Sequence, residues 1–212
     1  MKYVIPLIAL VLVGCANHPP PPDWLLTAES ATGNHARLWL EGRDKLAEIQ
    51  LNAAREAVSR TGDADQQARV ELHACAVRLA SLQGGQCPAF DTLASDAGRA
   101  ENAYAAYLSG TLPAADRQLL PESQRLAWQN PQALNNINDP LARLVAAAAL
   151  LEAGRLPPEG ITLAIDTAAG QGWRRPLLAW LSLERERLER AGDPSGSEAI
   201  RRRIERVLGA GR

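Results

Sequence analysis

The sequence predicts an all-α protein made of antiparallel helix pairs. Apolar residues recur at three- and four-residue spacing through most of the chain, the mark of amphipathic helices. The stretches so marked end in glycine, as at Gly62, Gly154 and Gly170, a residue that suits a helix C-cap. Aromatic residues make up only 4%, and no convincing period-2 run occurs, which argues against a β-sandwich or barrel. The hydrophobic fraction of 46% excludes a disordered chain. A chain of 212 residues holds one domain or two small ones.

The elements follow in order. Trp24 to Glu41 carries Leu25, Ala28, Ala31, Leu38 and Leu40, with Gly33-Asn34 as a candidate break and Gly42 as a turn. Lys45 to Arg60 has Leu46, Ile49, Ala53, Ala57 and Val58 on one predicted face, with Arg55, Glu56 and Arg60 outside it. Thr61-Gly62-Asp63 closes that helix. Ala64 to Leu82 draws its face with Ala68, Leu72, Cys75, Ala76 and Leu79, and Gly84-Gly85 stops it. A turn at Phe90 to Ala94 and a helix at Arg99 to Leu108 follow. Ser109 to Pro140 is irregular: four prolines and Asn135-Asn136-Ile137-Asn138 interrupt it, leaving room for short helices at Ala114–Leu120 and Glu122–Gln129. Leu141 to Ala153 is rich in alanine, and Ile161 to Ala169 is a further helix. Pro176 to Arg190 and Ser197 to Leu208 complete the chain.

The last two helices should form a hairpin. Leu177, Leu178, Leu181 and Leu188 make one stripe; Ile200, Ile204, Val207 and Leu208 make the other; Gly192-Asp193-Pro194 reverses the chain between them. Arg201, Arg202, Arg203 and Arg206 cannot all be buried unpaired, so they should form an outer capping face.

Two stretches resemble degenerate helical repeats. Gly42, Ala54 and Val58, then Leu72, Cys75, Ala76 and Leu79, stand where a tetratricopeptide repeat has its small and large packing residues. Leu144, Ala147, Ala148 and Leu151 repeat that spacing, and Ala168-Ala169-Gly170-Gln171-Gly172-Trp173 with Pro176 is similar to the junction of Sel1-like repeats. No unit holds a full consensus. The resemblance implies a tetratricopeptide-like solenoid across residues 24–209, with halves at 24–110 and 140–209. The alternative is an irregular helical bundle.

The N-terminus has a separate signature. Lys2 precedes an uncharged apolar run from Tyr3 to Val13, about half the length of a transmembrane helix and right for a secretory signal. The run ends in Leu12-Val13-Gly14-Cys15, which resembles the lipobox of bacterial lipoprotein precursors. That resemblance implies removal of residues 1–14 and lipidation of Cys15. Ala16, where enterobacterial lipoproteins kept in the inner membrane carry Asp, points to the outer membrane, periplasmic side. Four consecutive prolines in the segment 15–23 predict a stiff spacer of about 3 Å per residue.

An oxidising compartment makes Cys75 and Cys87 a natural pair. Gly84-Gly85 lets the chain reverse, so that a few extended residues bring Cys87 back beside Cys75. Closing so short a loop stabilises by about 3 kcal/mol. The alternative for Cys75 is a small core residue. A metal site is disfavoured, because His73 and Cys75 point about 200° apart on one helix. His18 lies in the linker; His35, near the candidate break, is expected to be solvated or capping.

Chemistry is not legible. The chain lacks CxxCH, HExxH, GxSxG, P-loop and GxGxxG patterns. Glu184/Glu186 and Asp63/Asp65 are two apart and would diverge on a helix. No cofactor and no metal is expected. The charge balance of 23 basic and 24 acidic residues gives no global footprint for nucleic acid. The basic residues are concentrated late: residues 174–212 hold 10 Arg against 6 acidic residues. The expected function is a non-catalytic adaptor that meets the membrane through its lipid and an envelope protein through the helical domain. Outer-membrane lipoproteins of helical-repeat type, such as pilotins and barrel-assembly components, are assembly adaptors. The alternative is a helical hydrolase acting on peptidoglycan. Of Trp24, Trp39, Trp128, Trp173 and Trp180, Trp128 in the irregular stretch is the expected surface contact.

Overall fold

A computed structural model describes residues 20–209. Ten α-helices and two 3₁₀ segments follow one another, with no strand among the described residues. They are α1 Asp23–Leu40, α2 Asp44–Ser59, α3 Ala64–Leu79, α4 Pro88–Asp91, α5 Arg99–Leu108, α6 Glu122–Gln129, α7 Pro140–Glu152, α8 Pro158–Gly170, α9 Arg174–Arg190 and α10 Pro194–Gly209. The 3₁₀ segments are Ala114–Leu119 and Pro131–Asn136, on either side of α6. The protein is all-α, a repeat-like bundle of helix pairs.

Helix ends follow local chemistry. Asp63 caps α3, its carboxylate accepting from the amides of Asp65 and Gln66; Asp139 caps α7 through Ala142. Pro140, Pro158 and Pro194 open their helices, where the missing N–H costs nothing and the fixed φ is already helical. This is why α8 and α10 begin three residues before the periodicity suggests. The chain leaves α5 through Gly110, at φ +74°. A Cβ there would stand 2.6 Å from the amide nitrogen of Ala153, so glycine also permits the close approach of α5 and α7. Gly33-Asn34 does not break α1, which runs straight through.

Two helices are enclosed. In α3, Ala68, Leu72, Cys75, Ala76 and Leu79 are buried as expected, and so are Val70, Ala74 and Val77. In α7, every residue from Leu144 to Leu150 is buried. Around them one large apolar cluster runs from Ala36 and Leu40 of α1 to Leu177, Trp180 and Leu181 of α9, joining both halves of the chain. A smaller cluster, including Ala28, Leu51, Ala54, Val58, Val70 and Ala74, seals α1, α2 and α3 together.

Side chains of α9 tie the late helices to the early ones. The Trp180 indole N–H donates to the Ala80 carbonyl at 3.0 Å, in a fully buried position. Arg175 lies 4.2 Å over the Trp39 ring, donates to the Trp39 carbonyl at 2.7 Å and pairs with Asp44. The α9–α10 hairpin forms as expected. Ile200, Ile204 and Val207 pack on the core, whereas Leu208, expected in the same stripe, is 45% exposed; Arg201 pairs with Glu198 and Glu205 on the outer side.

The predicted face of α2 is rotated. Ala47, Leu51, Ala54, Ala57 and Val58 are buried, whereas Leu46 is 44% and Ile49 60% exposed. Ala57 and Val58 belong to either face, so their burial does not distinguish the two. Alanine at 47 and 54 is what lets α2 sit close to α1, since larger residues there would hold the helices apart.

Trp180 is the structural tie most open to test. Trp180→Ala should cost about 3–5 kcal/mol in chemical denaturation. Trp180→Phe should cost less, about 1–3 kcal/mol, because it keeps the ring's packing and leaves only the Ala80 carbonyl without its donor.

Candidate functional site

An open groove lies between α1 and α3. Leu25, Ala28, Glu29 and Thr32 form one wall, Gln66, Arg69, Val70 and His73 the other, and Val58 of α2 contributes at the base. Its volume is about 460 Å³. Ala28, Val58 and Val70 are buried and give it an apolar floor. Glu29 and Arg69 stand on the rims with opposite charge. Arg69 is fixed by a 2.9 Å ion pair to Glu101 of α5, whose carboxylate is almost wholly buried. Below the groove, Arg55 joins α2 to α3 through two hydrogen bonds to Glu71, at 2.7 and 2.8 Å.

Two histidines hold the groove's walls. His73 of α3, half-buried at the groove, has its Nε2 3.2 Å from the Thr32 carbonyl of α1. His35 of α1 is only 2% exposed, and its Nδ1 lies 3.0 Å from the Ala47 carbonyl of α2. A carbonyl only accepts, so each of these nitrogens carries the proton. The other nitrogen of His35 is buried with no partner. Burial pulls His35 below the usual histidine range, opposed by the bond to Ala47 and by Glu48 and assisted by Arg55 and Arg78. Burial also lowers His73, with nearby His35 assisting and the Thr32 bond opposing. The sequence reading of His35 as solvated or capping is therefore wrong: with α1 unbroken, His35 continues the buried Ala28–Ala31 face by one turn.

Cys75 and Cys87 form a disulfide, with Cα atoms 5.6 Å apart. It fastens the segment entering α4 to the enclosed helix α3. Cys75 is at the same time a core residue, 1% exposed, so both readings of it hold. Cys15 and His18 lie outside the described residues.

Trp128 is corrected. It is 4% exposed, its ring meeting Tyr107 edge-on at 5.4 Å between centroids, with Arg155 5.0 Å above it. Arg155 also donates to the Trp128 carbonyl at 2.6 Å. The irregular stretch still has a helix, α6, with an inward side, and Trp128 is on it. Its outward side is Leu126, 44% exposed beside a depression of about 400 Å³ shared with Ala133 and Ile137. Two residues apart on a helix is about 200°, which separates Leu126 from Trp128.

The paired carboxylates are engaged in structure. Asp63 caps α3, and Asp65 accepts from the Gly98 amide at 2.6 Å. Glu184 pairs with Arg187 at 2.7 Å and Glu186 with Arg190 at 3.5 Å. Among the described residues, no three His, Cys, Asp or Glu side chains converge in a way that could hold a metal, and no helix is long and apolar enough to cross a membrane. The fold and groove thus define a helical-bundle protein with an open, apolar-floored cleft. Comparison with protein-family models, curated proteins and solved structures finds no match to this chain.

The histidine pair fixes a sign for pH dependence. Both groups bind protons less readily folded than unfolded, so their contribution to stability is full above about pH 6.5 and is lost as pH falls through their lowered folded values. Thermal unfolding across that range should show Tm falling on acidification. His35→Asn with His73→Gln keeps an N–H near each carbonyl but cannot take a proton, so it should flatten that slope. An unchanged slope would show that other groups cause it. For the disulfide, Cys75→Ala with Cys87→Ala should lower stability by about 2–4 kcal/mol in denaturation under non-reducing conditions.

Proposed function

We propose that this protein is a lipid-anchored component of the bacterial envelope, held on the periplasmic side of the outer membrane, that acts as a non-catalytic interaction or assembly adaptor. The groove between α1 and α3 carries the reading. Its floor is apolar, its rims are charged, and it is open along the helices, which suits an extended or helical segment of another protein. The half-buried ion pairs and the two histidines hold the helices around it in place. A preformed groove binds more tightly because less order has to be gained on association.

Position supports the same reading. The groove begins at Leu25, ten residues after Cys15. At about 3 Å per residue, those ten residues reach at most about 30 Å, which keeps its mouth within that distance of the anchoring point. A partner seated there would itself be close to the membrane. The carboxylates that could be read as catalytic pairs serve instead as caps and ion pairs, which favours binding over hydrolysis. The arginines of α10 belong to the capping face, away from the groove.

Two measurements test this. Radiolabelled palmitate should enter the wild type and not Cys15→Ser; equal labelling removes the anchor. A photo-crosslinking residue placed at Leu25 or Gln66 should yield a discrete adduct with an envelope protein in intact cells. The same residue at Arg202 should yield none. Adducts from Arg202 alone would make the basic C-terminal helix the docking surface.

A further inference from the structure

The groove between α1 and α3 is unevenly charged. On its α3 rim, Arg69 is neutralised by the 2.9 Å ion pair to the buried carboxylate of Glu101. Asp65 stands beside that pair: a Cβ added at Gly98 would meet Glu101 Oε2 at 2.9 Å and Asp65 Oδ1 at 3.2 Å. That rim therefore carries one carboxylate in excess. Below the groove, Arg55 is likewise neutralised by Glu71. On the α1 rim, Glu29 is exposed and forms no ion pair among the described residues. His73 adds an acceptor. It uses its Nε2 proton on the Thr32 carbonyl, so Nδ1 presents a lone pair, and that nitrogen has no partner among the described residues. Glu29 precedes Thr32 by three residues, one turn along the same face of α1, which brings its carboxylate near the imidazole on the opposite wall. Both line the groove, above the apolar floor of Ala28, Val58 and Val70.

On the reading of this groove as the docking site, we infer that what enters it is a cationic side chain, lysine or arginine, carried on a segment of the partner protein. Its apolar stem lies over Ala28, Val58 and Val70, and its charged head meets Glu29 and His73. Long cationic side chains suit such a place, because their methylenes leave water while the head keeps its charge beside an anion. An anionic segment would instead face the excess of carboxylates on both rims and be repelled. A purely apolar segment would cover Glu29 and His73 Nδ1 and leave both acceptors without a donor, which costs their hydration. The contact is charged on both sides and stands at an open groove, so salt weakens it.

The test uses the full chain in intact cells and reads the yield of the adduct from a photo-crosslinking residue at Gln66. Glu29→Gln should lower that yield several-fold, and Glu29→Lys should lower it further. Glu29 is exposed and unpaired, so both variants should keep the wild-type Tm. Mass spectrometry of the adduct locates the cationic residue of the partner nearest the crosslink. Replacing that residue with Glu should restore the yield against Glu29→Lys. A yield indifferent to Glu29, or one raised by Glu29→Lys, overturns the cationic ligand and leaves the groove as a docking site. Failure of the charge exchange to restore the yield also overturns it. No adduct from Gln66 or Leu25 in the otherwise wild-type chain removes the docking site itself, and the cationic ligand with it.

Discussion

The close approach of helices through alanine is the constraint on which this fold rests. From Ala146 to Ala149, α7 offers no side chain longer than a methyl group on any side. Neighbours can then surround it, and α3, α5, α6 and α8 all contact it. The distance between packed helices is set by the side chains between them. A single leucine in that run would push out one neighbour and loosen contacts far along the sequence. Trp180, Tyr107 and Leu79 are among the largest fully buried side chains of the core.

The groove is a consequence of that packing. Helix α3 buries Ala68, Leu72 and Leu79 in the main core and Val70 and Ala74 in the smaller cluster, which brings it against α1 and α2. Polar groups do what apolar area does elsewhere: Arg55 with Glu71, Arg69 with Glu101, and the two histidines on backbone carbonyls. Such contacts are directional: the histidines and Arg55 fix the spacing of α1, α2 and α3, and Arg69 ties α3 to α5. A buried imidazole serves well here because the neutral ring can donate one hydrogen bond without carrying charge into the core.

Legibility varied with how local the signal was. The face and the start of α3, the ends of α7, and the Cys75–Cys87 pair are all written in short spacings and were readable, whereas α3 ends at Leu79, three residues before the expected Leu82. The face of α2 was not, because α2 carries two apolar stripes and periodicity alone cannot rank them. Trp128 was placed by the character of its neighbourhood, and a stretch rich in proline and asparagine still contains a helix with a buried side. His35 had a signal that was passed over: it follows Ala28 and Ala31 by seven and four residues, the spacing of one helical face. His73 sits among Leu72, Ala74 and Cys75, on a helix whose composition already indicates burial on most sides.

By itself, the sequence determined the helices and most of their ends, because capping, proline placement and 3.6-residue periodicity act within a few residues. It determined the cysteine pairing for the same reason, the loop between them being short. Only the tertiary structure decided which stripe of α2 is inside, which histidines are buried, and that Trp180 and Arg175 reach back to Ala80 and Trp39. Those outcomes depend on groups separated by up to 136 residues competing for the same space. Such competition is settled by packing, and no local pattern records it.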